Sequence, residues 1–252
     1  MKLVTFNIRC DYDQDGINSF KYRKPLIVKK IKEEDPDIIC FQEVLPHVAV
    51  WLKETLQDYY VIGCGRDENL EDEQNSIAYK KTKFNLMGME VFWLSETPTV
   101  PGSRYENQSV CPRICTQALF QDMGTKEIFR IYNTHLDHIG SKARKLGLGQ
   151  ILEDYEQMEA LTRIPTIITG DFNAFPDSPE MELLAKYPRL IDLTTTIDGT
   201  FHDYGQLDVL EKIDYIIASD NYHCSSVKVW DDCENGIYLS DHYPVSVEIS
   251  TR

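Results

Sequence analysis

The stretch IITGDFNAFPDS, residues 167–178, marks the point where a strand gives way to a polar loop. The β-branched residues 167–169 are typical of a buried strand. A glycine then interrupts the apolar run, and Asp171 and Asn173 follow. The final serine and the proline after it favour an N-cap and first helical position, so we expect a short helix through Leu184. The stretch predicts strand, loop and helix, and leaves open whether the two polar residues cap a turn or face a ligand.

Strand and helix patterns recur on both sides of this stretch. Strand-like segments span residues 3–8, 37–44, 76–80, 128–134, 165–169, 213–218 and 244–249, and helical patterns span residues 25–36, 48–56 and 148–158. Because helices separate only some strands, we predict an α/β (α+β) fold with helices packed outside the sheets. No repeat or Pro/Gly/Ser-rich linker divides the sequence, so we expect a single domain over residues 1–252.

Composition and charge limit the function classes. The 26 Lys and Arg residues against 41 Asp and Glu give a net charge of −15, which disfavours tight, sequence-independent binding of nucleic acid. Seven scattered cysteines without a CxxC pair are typical of reduced thiols in a cytosol. No signal-peptide pattern opens the chain, and no apolar run nears the ~20 residues of a membrane span. We therefore expect a soluble, cytoplasmic protein.

Polar side chains gather where the predicted strands end. They are Asn7, Glu43, His135, Asp137, Asp171, Asn173, Asp241 and His242, with Asp214 placed within a strand. Each alone has a structural explanation as a turn cap or a buried histidine. Strand ends of a compact α/β sandwich converge on one rim, where so many polar groups would repel and desolvate one another unless a cation or an anionic ligand organised them. The set therefore indicates metal-assisted chemistry.

Several motifs follow one another in a characteristic order. They are Asn7, Gln42–Glu43, NTHLDH at 133–138, GDFN at 170–173, IDYI at 213–216 and SDHYP at 240–244. In this order they resemble the endonuclease/exonuclease/phosphatase superfamily, the DNase I-like enzymes. FWLSETP at 92–98, PRICT at 112–116 and TFH at 200–202 are similar to a mainly bacterial subgroup of metal-dependent hydrolases. The resemblance implies a four-layer α/β sandwich, with two mixed β-sheets face to face and helices outside. It also implies Mg²⁺-dependent cleavage of a phosphate ester at one edge of the sheets.

The implied metal site is built from oxygen donors. A hard cation such as Mg²⁺ keeps several waters, so one or two carboxylates suffice. Glu43 is the first candidate ligand, with Asn7 beside it and Asp241 as a further ligand. Mn²⁺ is an alternative ion.

The resemblance also implies catalytic roles. Asp171 would orient or deprotonate the attacking water, while Asn173 would donate its amide to a phosphate oxygen. His242 would donate to the phosphoryl group as charge builds, and His135 would protonate the leaving oxygen.

Both imidazoles would need carboxylate partners to set their tautomers. Asp214 is the candidate for one histidine and Glu73 for the other, unless Glu73 is only a solvated charge in an acidic run. Arg113, Tyr79 and His202 are candidates for lining the substrate cleft, against the alternatives of a surface ion pair, a packed tyrosine and a loop histidine.

The sequence limits the class of substrate only in part. Repair endonucleases of this type carry tyrosine where this sequence has His135, and lysine and arginine clusters of the kind that hold a long nucleic acid are absent from the sequence. We expect a phosphomonoesterase or phosphodiesterase acting on a small or single-stranded phosphorylated substrate. An endo- or exonuclease or deadenylase-like nuclease acting on DNA or RNA is the runner-up. A non-catalytic binding module is the rival from another class, but it should have lost a motif residue, and all are present.

Overall fold

The computed structural model describes residues 1–251. Its strands are β1 (Lys2–Asn7), β2 (Ile38–Gln42), β3 (Tyr59–Ile62), β4 (Ile77–Lys80), β5 (Phe84–Trp93), β6 (Ile114–Asp122), β7 (Ile128–His135), β8 (Thr166–Asp171), β9 (Leu190–Asp192), β10 (Asp214–Ser219), β11 (Tyr222–Val229), β12 (Cys233–Glu234), β13 (Ile237–Tyr238) and β14 (Val245–Thr251). The α-helices are α1 (Phe20–Glu34), α2 (Pro46–Thr55) and α3 (Ser141–Leu161), and short 3₁₀ segments cover Asp13–Asn18, Met181–Lys186 and Asp203–Gly205.

Two mixed sheets of six strands form the centre of the molecule. One has the order β11-β14-β1-β2-β4-β3 and the other β5-β6-β7-β8-β10-β9, while β12 and β13 form a separate two-stranded ribbon. Each large sheet contains one parallel pair, β1 with β2 and β7 with β8. The remaining pairings in both sheets are antiparallel.

The buried side chains divide into three layers, as the period of two along a strand requires. In β1, Leu3 packs between the two sheets, whereas Val4 packs under α1 and α2. In β7, Ile131 packs between the sheets, whereas Tyr132 packs against α3. The order helix, sheet, sheet, helix confirms the predicted four-layer α/β sandwich.

The strand pairings bring the polar strand ends to one rim. In the parallel pairs, Asn7 lies opposite Gln42 and His135 lies opposite Asp171. The antiparallel strand β10 begins with Asp214 opposite Asp171, so Asp214 opens its strand rather than lying within it. Residues far apart in the sequence therefore meet at the same edge.

A buried amide pair holds the two sheets together just below this rim. The Gln42 side chain donates from Nε2 to Asn133 Oδ1 at 2.8 Å, and Asn133 donates from Nδ2 to the Phe41 carbonyl at 2.9 Å. Both side chains are fully buried. Hydrogen bonds of this kind between sheets fix the relative position of the strands that carry the site.

Several predicted element boundaries are wrong. Helix α1 begins at Phe20, so Pro25 lies inside it and only removes one backbone donor. Helix α3 begins at Ser141, seven residues before the predicted start at 148. The predicted helix after residue 178 is a 3₁₀ segment that begins at Met181, because the Ser178 hydroxyl donates to the Phe175 carbonyl instead of capping a helix. Over residues 1–251, none of the helices combines the length and apolar character needed to cross a membrane.

Candidate active site

The strand ends surround a cleft of about 380 Å³ at the rim of the sheets. Two groups of ionisable side chains lie in and around it. We call the first the acidic side, which consists of Glu43, Asp171, Asp214 and Asp241. We call the second the basic side, which consists of Arg66, Arg113, His135 and His138.

Asn7 connects two carboxylates of the acidic side. Its Nδ2 donates to Glu43 Oε1 and to Asp171 Oδ2, both at 3.0 Å, and its Oδ1 accepts from the Arg9 backbone N–H at 3.0 Å. The amide nitrogen, which cannot bind a cation, therefore faces the carboxylates. In this orientation Asn7 connects Glu43 with Asp171, and its role as a metal ligand stays a prediction.

Asp171 has the properties of a base that works near neutral pH. It is 1% exposed. Burial and the neighbouring charge of Asp214 raise the pKa of Asp171 to about 7. A carboxylate with this pKa is half ionised at neutral pH and can accept a proton from water.

His242 is held as a cation beside it. Its Nδ1 donates to Asp214 Oδ2 at 2.8 Å, and its Nε2 lies 3.8 Å from Asp171 Oδ2. Burial alone would lower the pKa of His242, but the charge of Asp214 and this hydrogen bond raise it to about 10. Asp214 is therefore the carboxylate partner of His242. The positive charge of the imidazolium offsets the negative charges of Asp171 and Asp214.

The loop after β8 is shaped so that Asn173 reaches back to the site. Gly170 has φ of 140°, and a Cβ there would lie 1.8 Å from the Thr134 carbonyl oxygen, so only glycine fits. Asn173 adopts φ of 48°, donates its backbone N–H to Asp171 Oδ1 at 2.9 Å and donates one amide hydrogen to the Leu136 carbonyl at 3.1 Å. Its second amide hydrogen stays available for a ligand.

Glu43 and Asp241 form the part of the acidic side suited to a hard cation. Glu43 Oε2 accepts from the Cys10 backbone N–H at 2.8 Å. Although burial opposes ionisation, the bonds from Asn7 and Cys10 lower the pKa of Glu43. Burial and the charge of Glu43 raise the pKa of Asp241, so the two carboxylates repel each other. A half-buried Glu43 and a buried Asp241 that repel each other fit a divalent cation with oxygen ligands.

A second grouping also meets the distance requirement for a metal. Asp171, Asp214 and His242 offer ligand atoms that all lie within 4.8 Å of one another. The His242 ring is cationic, however, and its Nδ1 already donates to Asp214. An ion bound by His242 would have to displace the Nε2 proton or break the bond to Asp214, whereas Glu43 and Asp241 need no such change.

Arg9 is a site residue that the sequence analysis missed. Its Nη1 lies 3.3 Å from Asp241 Oδ2, and its Nε lies 3.2 Å from Asp15 Oδ2. The backbone of Arg9 has φ of 60°, a left-handed conformation that non-glycine residues rarely adopt. The signal available was its place two residues after Asn7, at the end of a strand already expected to carry the site.

On the basic side, Glu73 pairs with a different residue from the predicted one. Arg66, another missed residue, donates to both oxygens of Glu73 at 2.6 and 2.8 Å. Glu73 is therefore not the partner of His135, whose Nε2 lies 3.5 Å from Asp171 Oδ2 and whose Nδ1 makes no hydrogen bond within residues 1–251. A local ion pair within the loop explains this difference.

His135 is a neutral imidazole in this setting. Burial, followed by the charges of Arg113 and Arg66, lowers the pKa of His135 well below its ordinary value. As a general acid the ring would need a bound phosphate to raise its pKa, and that role stays a prediction. The ring can still donate one hydrogen bond to a substrate.

Two predicted cleft residues lie elsewhere. Tyr79 packs between the sheets with its ring 4.9 Å from that of Phe120, at the end of β4 away from the rim. His202 stacks on Tyr243 at 3.8 Å and accepts from the Gly205 N–H at 3.0 Å. Neither lines the cleft, because strand alternation turns Tyr79 inward and the 3₁₀ segment after His202 holds its ring.

Comparison with known proteins decides the family. The Endonuclease/Exonuclease/phosphatase family pattern matches residues 4–242. The chain belongs to this family. A Bacteroides vulgatus structure described as an endonuclease/exonuclease/phosphatase is 32% identical with a TM-score of 0.92, covering 100% of this chain and 98% of that one. A Bacteroides thetaiotaomicron mannosyl-6-phosphatase is 29% identical with a TM-score of 0.90, covering 99% of both chains. An uncharacterized protein of Acanthamoeba polyphaga mimivirus is 27% identical and covers 98% of this chain and 99% of that one.

Membership of the endonuclease/exonuclease/phosphatase family fixes the general chemistry. Family members are hydrolases that act on phosphoester bonds, generally with a divalent metal ion. The acidic side supplies oxygen donors for such an ion, and the basic side supplies positive charge for a phosphate.

Proposed function

We propose that the protein is a Mg²⁺-dependent phosphoesterase that hydrolyses a small or single-stranded phosphorylated substrate by in-line attack of water. The observation that carries the proposal is Asp171. This buried carboxylate has a pKa of about 7, accepts a hydrogen bond from Asn7 and lies beside the cationic His242. A base, a fixed orientation and a positive charge are the requirements for activating water next to a phosphate.

The reaction can be followed atom by atom on these residues. Asp171 takes a proton from water as the water oxygen forms a bond to phosphorus. The bond between phosphorus and the leaving oxygen breaks at the same time, and the leaving oxygen takes a proton from solvent. His242 donates from Nε2 to a phosphoryl oxygen, and Asn173 donates its free amide hydrogen to another.

Glu43 and Asp241 would hold the Mg²⁺ or Mn²⁺ ion. When bound, the ion supplies charge neutralisation at the phosphate oxygens and the leaving group. The hard oxygen donors of these residues suit this class of ion, and a thiolate site is not needed. Asn7 keeps Glu43 and Asp171 at a fixed separation through its two hydrogen bonds.

Two observations support a small phosphorylated substrate. The net charge of −15 opposes long polyanions. The similar protein from Bacteroides thetaiotaomicron is described as a mannosyl-6-phosphatase, and we propose a sugar phosphate as the first substrate class to test. All seven cysteines are unpaired, which supports a reducing, cytoplasmic setting.

A substrate panel tests the proposal. The protein would be incubated with p-nitrophenyl phosphate, bis(p-nitrophenyl) phosphate, mannose 6-phosphate, abasic duplex and oligo(A), each with Mg²⁺, Mn²⁺ or EDTA. We expect metal-dependent release of phosphate or nitrophenol that EDTA abolishes. Cleavage of the nucleic acids alone, falling steeply with salt, would favour a nuclease. Inertness toward every substrate would overturn the proposal.

A further inference from the structure

Arg113 is a buried cation without a bonded carboxylate. The residue is 4% exposed and lines the cleft. Its Nη2 donates to His138 Nδ1 at 2.9 Å, while Nε and Nη1 make no hydrogen bond to any residue in 1–251. Leaving a buried charged donor unpaired is costly, so such a group is usually kept for a partner that arrives later.

The carboxylates near Arg113 are already engaged. Glu73 accepts two hydrogen bonds from Arg66. Asp137 lies 3.9 Å from Arg113 Nε, beyond hydrogen-bond distance, and its oxygens accept from Ser109 and from the Gly140 N–H at 2.7 Å. No protein carboxylate therefore pairs directly with the guanidinium, which remains able to bind an anion from solution.

The contact with His138 fixes which nitrogen of that ring carries the proton. Arginine only donates, so His138 Nδ1 must be the acceptor. Partial loss of solvent around the ring and the charge of Arg113 also lower the pKa of His138, which keeps the ring neutral. The hydrogen is then on Nε2, and His138 is exposed and lines the cleft. Arg113 and His138 together offer donors to a ligand and no acceptor.

These donors lie next to the reacting centre. The charge of Arg113 is felt by His135, whose Nε2 is 3.5 Å from Asp171. A phosphate attacked by the water at Asp171 would extend its other oxygens past His135 toward Arg113. The charge on those oxygens then decides how well the substrate binds.

We propose that Arg113, with His138, selects a terminal phosphate monoester over a phosphate diester. The inference rests on the proposed phosphoesterase function and names its substrate class. A monoester dianion presents three charged oxygens, so one can accept from Arg113 and His138. In a diester an alkyl or aryl group is bonded to one of these oxygens and removes its charge. The buried guanidinium is then left unpaired, which disfavours the diester.

The test compares kcat/KM for p-nitrophenyl phosphate and bis(p-nitrophenyl) phosphate in the wild type and in Arg113→Gln. We expect the wild type to prefer the monoester, and Arg113→Gln to lose roughly 10- to 100-fold on the monoester with less than about 3-fold change on the diester. His138→Ala should lower the ratio of kcat/KM for the monoester to kcat/KM for the diester by a smaller factor. Arg113→Lys keeps the charge and should retain part of the preference, which gives a readout if the glutamine variant folds poorly.

Arg130→Gln is the matched control. Arg130 is also a buried arginine with an unpaired Nη1, but it lies in the middle of β7 and outside the cleft. Its substitution should leave the ratio unchanged. Equal losses on both substrates in Arg113→Gln, or a wild type that prefers the diester, would overturn the role of Arg113.

A binding measurement separates this proposal from the proposed function. Calorimetric titration at pH 8 would compare inorganic phosphate, a dianion there, with dimethyl phosphate. We expect the wild type to bind phosphate at least about 10-fold more tightly, and Arg113→Gln to lose that difference. If no substrate of the panel is hydrolysed, the phosphoesterase function fails, while the titration still decides whether Arg113 selects the dianion. Equal affinity of the wild type for both ions would refute the selection.

Discussion

The acidic and basic sides of the cleft differ in how completely their charges are compensated. On the acidic side, His242 bonds to Asp214, Arg9 contacts Asp241, and Asn7 connects Glu43 with Asp171. On the basic side, Arg66 is paired but Arg113 is not. From this difference we infer that the two sides have different roles in the reaction. Under the proposed function, the acidic side would activate water and hold a cation, whereas the basic side would be completed by the anion that binds there.

The largest effect is expected from removing the base of the acidic side. Asp171→Asn keeps the size of the side chain but cannot accept the proton, so kcat should fall on the order of 10²- to 10⁴-fold. Steady-state hydrolysis of p-nitrophenyl phosphate with Mg²⁺ measures it, and Asp58→Asn on the exposed surface is the control. Retention of more than a tenth of the wild-type rate would exclude Asp171 as the base.

The metal should depend on the acidic side alone. Glu43→Gln removes the charge of the main candidate ligand, so the Kd for Mn²⁺ should rise at least ~10-fold, as loss of even a supporting partner commonly causes. Calorimetry or Mn²⁺ resonance spectroscopy without substrate measures this. Glu211→Gln, in the same cleft, and Arg66→Gln, on the basic side, should leave Mn²⁺ affinity within a few-fold. Unchanged affinity in Glu43→Gln would place the ion elsewhere.

The raised pKa of Asp171 also predicts a pH-dependent effect on stability. The folded protein holds this proton up to about pH 7, whereas an ordinary aspartate loses it near 3.8. The stability that Asp171 contributes is therefore present at low pH and falls as the pH rises toward 7. Without metal, we compare the free energy of unfolding of Asp171→Asn with that of the wild type. The difference should shift in favour of the variant by about 1–4 kcal/mol between pH 4 and pH 8. Urea unfolding at both pH values checks it, and a constant difference would contradict the assigned pKa.

Arg9 should make a smaller, opposite contribution to metal binding. Its guanidinium contacts Asp241 at 3.3 Å and repels an incoming cation, although its side chain is 26% exposed and partly screened. Arg9→Gln should therefore tighten Mn²⁺ binding by roughly 3- to 10-fold. Arg189→Gln, which breaks an ion pair far from the cleft, should not. Weaker Mn²⁺ binding in Arg9→Gln would show that Arg9 organises the site rather than competing with the ion.

The sequence predicts the acidic side better than the basic side for a physical reason. Strand pairing brings Asp171 and Asp214 together, and packing of the two sheets adds His242, which lies just before β14 in the other sheet. The alternation of strand faces also accounts for Phe172, which turns inward with its ring 5.1 Å from Tyr215. Local patterns therefore predict the mixed α/β fold and the polar strand ends of this side, whereas the four-layer sandwich and the roles of these residues follow from the resemblance to the family.

The basic side depends on loops that local patterns do not determine. Glu73 pairs with Arg66 because the loop folds back on itself, with Gly65 bridged to Gln74. Nothing in the run of acidic residues between them distinguishes that pair from solvated charges. Arg113 could be singled out by its motif, but its missing partner appears only when the surrounding carboxylates are seen in place.

The pH dependence of kcat/KM tests the central claim most directly. The substrate would be bis(p-nitrophenyl) phosphate with Mg²⁺, because its single charge does not change between pH 5 and pH 9. His242, with a pKa of about 10, stays protonated over most of this range. The account predicts a rise of tenfold per pH unit below about pH 7 and a plateau above it, as Asp171 ionises. A rate that is constant from pH 5 to pH 9 would contradict the assignment of Asp171 as the base.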